Sequence, residues 1–351
     1  MMTASLVMSQ FLEKTKVNFR KTNHKRKLED TQWDVVKWDK EHKVCNPDIC
    51  NGKQLDDIPD YDGAVPVQFL KDTFASNYSL FDMKDTQKCF QNKKMVFFGD
   101  STMTELLLSV FQLLTGIFRP EHHDDWITYC THTMVKQLDK TYTDHFKFEG
   151  VPEFYVTIGI YGHRNFSLHM PAINAEVFHR FNGGGNDINH NFGGIKQMLE
   201  HMPKDFLCFL GNDNCPVPDI IVYQSGHHDV EDWKGTIQQM PKMFKLLQEA
   251  KNRGAKVYWK SSSDNYREPH QELITGVMNQ AAELLSYEYG LEYINIDIAR
   301  DMFAKYYGIR DWLEARQGPH SGMIGGNNHQ DHPLTYLMWK VMYILNQICS
   351  N

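Results

Sequence analysis

The stretch from Lys94 to Gly116, KMVFFGDSTMTELLLSVFQLLTG, constrains the rest of the chain most. Met95 to Phe98 is a short apolar run of β-formers, long enough for one buried strand. Gly99-Asp100-Ser101 follows as a tight polar turn, in which glycine permits unusual backbone angles. From Thr102 the apolar positions Leu106, Leu107, Val110, Phe111 and Leu114 recur at helical steps. Thr102 with Glu105 predicts a capping box and Gly116 predicts the stop. A strand that ends in Gly-Asp-Ser and reverses into a helix delivers a serine to its carboxyl end. In open α/β sheets that edge is where ligands bind. The alternative is a serine that only caps the helix.

Downstream the same rhythm repeats. A second strand is expected at Phe154 to Ile160, ending in Tyr161-Gly162-His163, and a third at Asp219 to Tyr223, ending in Gln224-Ser225-Gly226-His227-His228-Asp229. Between Phe166 and Pro218 the pattern weakens, and Arg180 to Asp187, RFNGGGND, reads as a loop. A helix over Ile237 to Arg253 presents Met240, Met243, Phe244, Leu247 and Ala250 on one face and stops at Gly254. The strand Ala255 to Lys260, a helix from Pro269 to Tyr289 stopped by Gly290, and the strand Leu291 to Ile296 continue the alternation. A shorter helix to about Tyr307 and a Gly-rich loop from Gly318 to Pro333 precede the last helix, Leu334 to Cys349. Strands alternating with helices predict an α/β fold with a doubly wound parallel sheet.

With 351 residues the chain is long enough for one large α/β domain. Residues 1–31 are polar and basic and read as a flexible tail. Residues 32–351 read as one domain, in which 32–93 wraps the core formed by 94–351 and is tied to it by Cys45, Cys50 or Cys89. A net charge of -7 offers no basic field for nucleic acid. No run of about twenty apolar residues predicts a membrane span, and the first residues lack the apolar core of a signal peptide. Seven cysteines at scattered spacings match no zinc pattern. Cys45 with Cys50, and Cys208 with Cys215, are each close enough in sequence to close a short loop. His122 to Asp125 reads as a solvated loop. His227, His228, His320, His329, Asp331 and His332 lack a fixed ligand spacing, so no metal and no cofactor are expected.

In a doubly wound sheet of order 2-1-3-4-5 the crevice lies between the ends of strands one and three, here Asp100-Ser101 and Gly226-His228. The final loop, with His329 and His332, precedes a helix able to pack beside strand one. Sequence thus permits a serine, a histidine and backbone N–H donors to meet at one crevice, the requirement for nucleophilic acyl chemistry.

The order Gly99-Asp100-Ser101-Thr102 with its leucine-rich helix, then strand-Ser-Gly-x-His, then a late His-Pro before the closing helix resembles the SGNH/GDSL hydrolase superfamily. More narrowly, VFFGDST, DIIVYQSGHH, VYWKSSS and VMYILNQIC resemble the C-terminal domain of the neurexophilin-and-PC-esterase (NXPE) family, over roughly Cys45 to Cys349. The resemblance implies a flavodoxin-like three-layer core and a Ser-His mechanism that hydrolyses or transfers acyl groups, often acetyl, on carbohydrate or glycoprotein substrates. It also implies a secretory-lumen or extracellular setting, with disulfides. Carried over, Ser101 is the nucleophile, Asp100 a turn residue and His332 the base. Gly162 and Gly226 are oxyanion donors, and His228 stands where the superfamily writes Asn. Asn186 rivals His228, although no strong parallel-strand pattern precedes it. The superfamily writes Asp-x-x-His; here His329 holds the Asp position and Asp331 directly precedes His332. Three readings stay open: Asp331 serves as the acid, a Ser-His dyad operates, or the chain is an inactive, secreted binding protein of NXPE type.

Overall fold

The computed structural model describes residues 81–115, 142–147, 152–159, 162–181, 216–225, 227–230, 232–262, 269–296, 298 and 336–349, all within the unit Lys40–Asn351. The basic tail, Cys45, Cys50, His122 to Asp125, Cys208, Cys215, the helix expected to Tyr307 and the Gly318 to Pro333 loop lie outside them.

Strand β1 (Lys94–Gly99) is the centre of the sheet. Its residues point alternately to opposite faces, yet Met95, Val96, Phe97 and Phe98 are all without exposure, because helices cover both faces. That is why β1 reads as an unbroken apolar run rather than an alternation. It pairs in parallel with β5 (Ala175–Phe181) on one side and β6 (Ile220–Tyr223) on the other. Then β7 (Lys256–Lys260) and β8 (Glu292–Ile294) continue in parallel beyond β6. On the far side of β5 come β4 (Gly162–Met170), β3 (Phe154–Gly159) and β2 (Tyr142–Phe146), all antiparallel. The whole is one eight-stranded sheet, β2-β3-β4-β5-β1-β6-β7-β8. Counted among themselves, the parallel strands β5-β1-β6-β7-β8 follow the flavodoxin-like order 2-1-3-4-5. The three-layer, doubly wound α/β fold is thus the expected one, widened by an antiparallel meander.

The second parallel strand is a correction. Phe154–Gly159 is a strand, but it lies three places from β1 and runs antiparallel to its neighbours; β5 occupies the inner place. Strand β5 was hard to read because it is covered on one face only. Ala175, Val177 and His179 point into the core, while Glu176, Phe178 and Arg180 alternate with them on a half-buried face. A short turn, Pro171–Ile173 closed by the left-handed Asn174 (φ 50°), reverses β4 into β5.

Helices α1 (Met83–Phe90), α2 (Ser101–Thr115) and α5 (Tyr336–Cys349) form one layer. The predicted face of α2 is buried, and so are Leu108 and Leu113 beyond it, because α5 packs against α2 from outside with Val341, Ile344, Leu345 and Ile348. Gln87 of α1 donates through Nε2 to the Leu114 carbonyl at 2.8 Å, and a Cys89–Cys349 disulfide ties α1 to α5. Of the three cysteines named as possible ties, Cys89 is thus bonded to the core, while Cys45 and Cys50 lie outside the described residues. Helices α3 (Trp233–Asn252) and α4 (Pro269–Tyr289) form the opposite layer. Phe244 of α3 stacks on Trp259 of β7 at 4.3 Å, and Trp259 meets Tyr223 of β6 at 4.8 Å. The anticipated α3 face is the buried one, but the helix starts a turn earlier, at Trp233. The Asp232 carboxylate caps the helix at Gly235 N (3.2 Å) and lies where a Cβ at 235 would stand. Gly254 (φ 109°) and Gly290 (φ 65°) end α3 and α4 as predicted. Among the described residues no helix is long and apolar enough to cross a membrane.

Two measurable consequences follow from this packing. The Cys89–Cys349 bridge closes a loop of sequence separation 260, so Cys89→Ser should cost about 2–5 kcal/mol, read as a lower denaturant midpoint under non-reducing conditions. On the half-buried face of the meander, His169 stacks on Tyr155 at 4.5 Å and faces Glu176 at 3.3 Å. Burial holds its pKa below the ordinary 6.5, Glu176 opposes that shift, and Lys94 adds to it. Because the folded pKa is the lower one, the unfolded chain takes up the proton first as pH falls through about 6.5. Stability should decline below that pH, and His169→Gln should flatten this part of the decline in urea titrations.

Candidate active site

The carboxyl edge of the parallel strands brings the sequence-predicted residues of β1 and β6 side by side. Between β1 and α2 stands Asp100, a carboxylate without exposure. Its Oδ1 accepts from Thr102 N (2.9 Å) and Thr102 Oγ1 (2.7 Å), and its carbonyl accepts from Met103 N and Thr104 N. Asp100 is therefore the N-cap of α2, and Ser101 is the first helical residue. This corrects the expected Thr102–Glu105 box: the cap stands two residues sooner, at Asp100, and Thr102 is a donor to it. Gly99 has a different reason from the one anticipated. It is not among the positive-φ glycines; instead a Cβ there would lie 2.5 Å from Met103 Cβ, so glycine lets the first turn of α2 close against the strand end.

The ends of β6 and β7 carry a buried polar seam. Gln224, in register with Lys260, donates through Nε2 to Asp100 Oδ1 (3.3 Å) and Thr102 Oγ1 (2.9 Å). Its Oε1 accepts from Lys260 Nζ at 2.5 Å, and the same ammonium donates to Ser261 O at 2.9 Å. Ser225 Oγ donates to Asp229 Oδ2 (2.6 Å), while Thr236 Oγ1 reaches Asp229 Oδ1 at 3.4 Å. Ser262 donates through its hydroxyl to Ser225 O and through N–H to Asn279 Oδ1 at 2.9 Å. Each of these polar groups is buried, and each has the partners that burial demands. The loop leaving β6 is thus pinned at both Ser225 and Asp229.

Of the predicted site residues, Ser101 stands at the end of β1, and His228 lies in the short turn His227–Val230 beyond β6, the strand next to β1. Gly162 opens β4 at the same edge, two strands to the other side of β1, roughly 10 Å away laterally at ordinary strand spacing. Gly226, Asp331 and His332 lie outside the described residues. So does Asn186, but the ground for setting it aside falls: β5, parallel to β1, ends at Phe181, five residues before it.

Sequence reasoning missed Gln224, Asp229, Lys260 and His179. Lys260 left a signal, a lysine closing an otherwise apolar strand; for Gln224 the partners Asp100, Thr102 and Lys260 are spread over more than a hundred residues, and Asp229 pairs with the nearby Ser225 and Thr236 in a way no periodic pattern announces. His179, without exposure on β5, stacks on Phe166 at 4.9 Å and pairs through Nε2 with Thr104 Oγ1 at 3.3 Å. It ties the second parallel strand to the first turns of α2. Among the described residues no group of three His, Cys, Asp or Glu converges as a metal site would.

No family model matches the chain, and no curated protein matches it. Among solved structures, the chain is similar to a mutant of an acetyl-xylooligosaccharide esterase from Geobacillus Stearmophilus, with 13% identity and a TM-score of 0.37, over 74% of this chain and 96% of that one.

The close approach at Gly99 sets a test of the site's construction. Gly99→Ala forces Met103, itself buried, to move, and should destabilise by about 1–3 kcal/mol, the usual cost of overpacking. An unchanged denaturant midpoint would show that the α2 turn is not held by this contact.

Proposed function

We propose that the chain is an acyl-ester hydrolase or O-acyl (acetyl) transferase of SGNH type, acting on an acylated carbohydrate through Ser101. The observation that carries this reading is the position of Ser101: the first residue of α2, at the end of the central parallel strand, beside the switch point between β1 and β6. That position is a helix N-terminus, where developing negative charge is favoured.

In the proposed reaction Ser101 Oγ attacks the ester carbonyl carbon while His332 takes its proton. The tetrahedral oxyanion accepts hydrogen bonds from the N–H of Gly226 and from His228 or Asn186, donors worth roughly 3–4 kcal/mol each in comparable sites; Gly162, two strands from β1, stands too far to the side for that role. Collapse breaks the bond to the leaving sugar oxygen, which takes the proton from His332. Water or a second sugar hydroxyl then attacks the acyl-serine, with His332 again as base; water gives hydrolysis and a sugar gives transfer. Asp331 would orient His332. Strand β5 supports Asn186 as a serious rival to His228, because it supplies the preceding parallel strand that Asn186 lacked.

The course of α5 supports His332 as the base. Its last residue, Cys349, is bridged to Cys89, five residues before β1 begins and so at the amino edge. A helix of that length reaches back about 20 Å along α2, toward the edge that holds Ser101, and His332 precedes it by four residues. The bridge itself supports an oxidising, secretory or extracellular setting, in keeping with the NXPE resemblance.

Fluorophosphonate labelling of the purified, disulfide-intact protein tests the reading. Wild type should label, while Ser101→Ala and His332→Ala should not. Folded wild type that fails to label would exclude the serine mechanism and favour the non-catalytic binding protein.

A further inference from the structure

We propose that Lys260 is a positioning residue for Ser101, acting through Gln224 on the carboxylate of Asp100. The inference rests on the reading of Ser101 as the nucleophile.

Lys260 is 1% exposed and Asp100 is fully covered. Burying either charge is costly unless a counter-charge and hydrogen bonds offset it. The two are joined through the side chain of Gln224, which lies between them across adjacent strand ends. An ammonium can only donate, so Lys260 turns the Gln224 oxygen toward itself and leaves the amide N–H₂ facing Asp100 and Thr102. Lys260 cannot withdraw from this task, because the end of β7 is clamped. Ser261 N donates to Ile294 O at 2.9 Å, its hydroxyl accepts from Ile296 N at 2.8 Å, and Ser262 exchanges two hydrogen bonds with Asn279.

The consequence for chemistry is electrostatic. Attack by Ser101 develops negative charge on an oxygen held beside a residue whose neighbour in sequence is already an anion. Uncompensated, the Asp100 carboxylate opposes that step. Lys260, two hydrogen bonds away through Gln224, neutralises it while leaving its geometry as the α2 cap intact. Asp100 thus serves as a rigid acceptor without acting as a net negative field on the nucleophile.

The test compares fluorophosphonate labelling rates of wild type, Lys260→Met and the double variant Asp100→Asn/Lys260→Met, each at a temperature where circular dichroism shows it folded. Asn retains the Oδ1 acceptor for Thr102 and Gln224, so the double variant removes both charges and keeps the cap. Lys260→Met should label roughly tenfold to a hundredfold more slowly, the effect of one unit charge at short range and an effective dielectric near 20. The double variant should recover most of that rate, which a merely structural loss would not. If Lys260→Met does not fold, a folded double variant that labels near the wild-type rate carries the same conclusion. Lys260→Met labelling at the wild-type rate, or a double variant as slow as the single, overturns the proposal and leaves the serine reading standing. Wild type that does not label at all removes the serine reading and this proposal with it.

Discussion

A carboxylate shut away from water must take its hydrogen bonds from the protein around it, and those of Asp100 come from two directions. Thr102 supplies them from the helix that follows, and Gln224 supplies one from the strand alongside, 124 residues later in the chain. The turn that carries Ser101 is therefore not a local structure. It exists in its form because β6 lies against β1 in one register, Phe98 beside Tyr223, so that the next residue of β6 reaches the cap. Shifting that register by one residue would send Gln224 to the opposite face of the sheet and leave Asp100 without that donor.

The antiparallel meander makes the other half of the edge. Adding β2, β3 and β4 beyond β5 gives β5 a partner on its outer side, so that the inner parallel strand is not an open edge. It also brings the hairpin between Gly159 and Gly162, with the register irregularity beside it, to the carboxyl ends of the parallel strands. Bulges of this kind re-aim a strand end. The carboxyl edge thus carries pinned backbone after β6 on one side of β1 and the paired ends of β3 and β4 on the other.

How far this was legible from sequence depends on how many neighbours each feature needs. Strand β1 and helix α2, the Met240-to-Ala250 face of α3, the span of α4 and the stops at Gly254 and Gly290 are written in local periodicity and turn chemistry, and they were readable. Strand β5 was not, because its outward residues Glu176, Phe178 and Arg180 belong to a half-buried face that resembles surface. Gly99 looked like a conformational glycine and is a packing one; only the position of Met103 distinguishes the two. The Asp100-Gln224-Lys260 row and the pairing of Cys89 with Cys349 join positions remote in sequence, and single-chain periodicity carries no information about them. At the candidate site, sequence placed Ser101 and the loop after β6 at one edge but did not reveal what holds them there.

Stability and chemistry occupy opposite ends of the same strands. The disulfide joins the start of the sheet to the last helix at the amino edge, while Asp100, Ser101 and the loop after β6 stand at the carboxyl edge. Placed at the far end, the bridge limits the unfolded chain and anchors α5 without narrowing the rim. Among the described residues, what holds the rim is a set of buried hydrogen bonds with short reach. That division also explains why a lysine is tolerated at the end of a buried strand. The surroundings that make its burial expensive, namely closed packing and neighbouring strand ends, are the same ones that let a single charge act on the Ser101 turn with little screening.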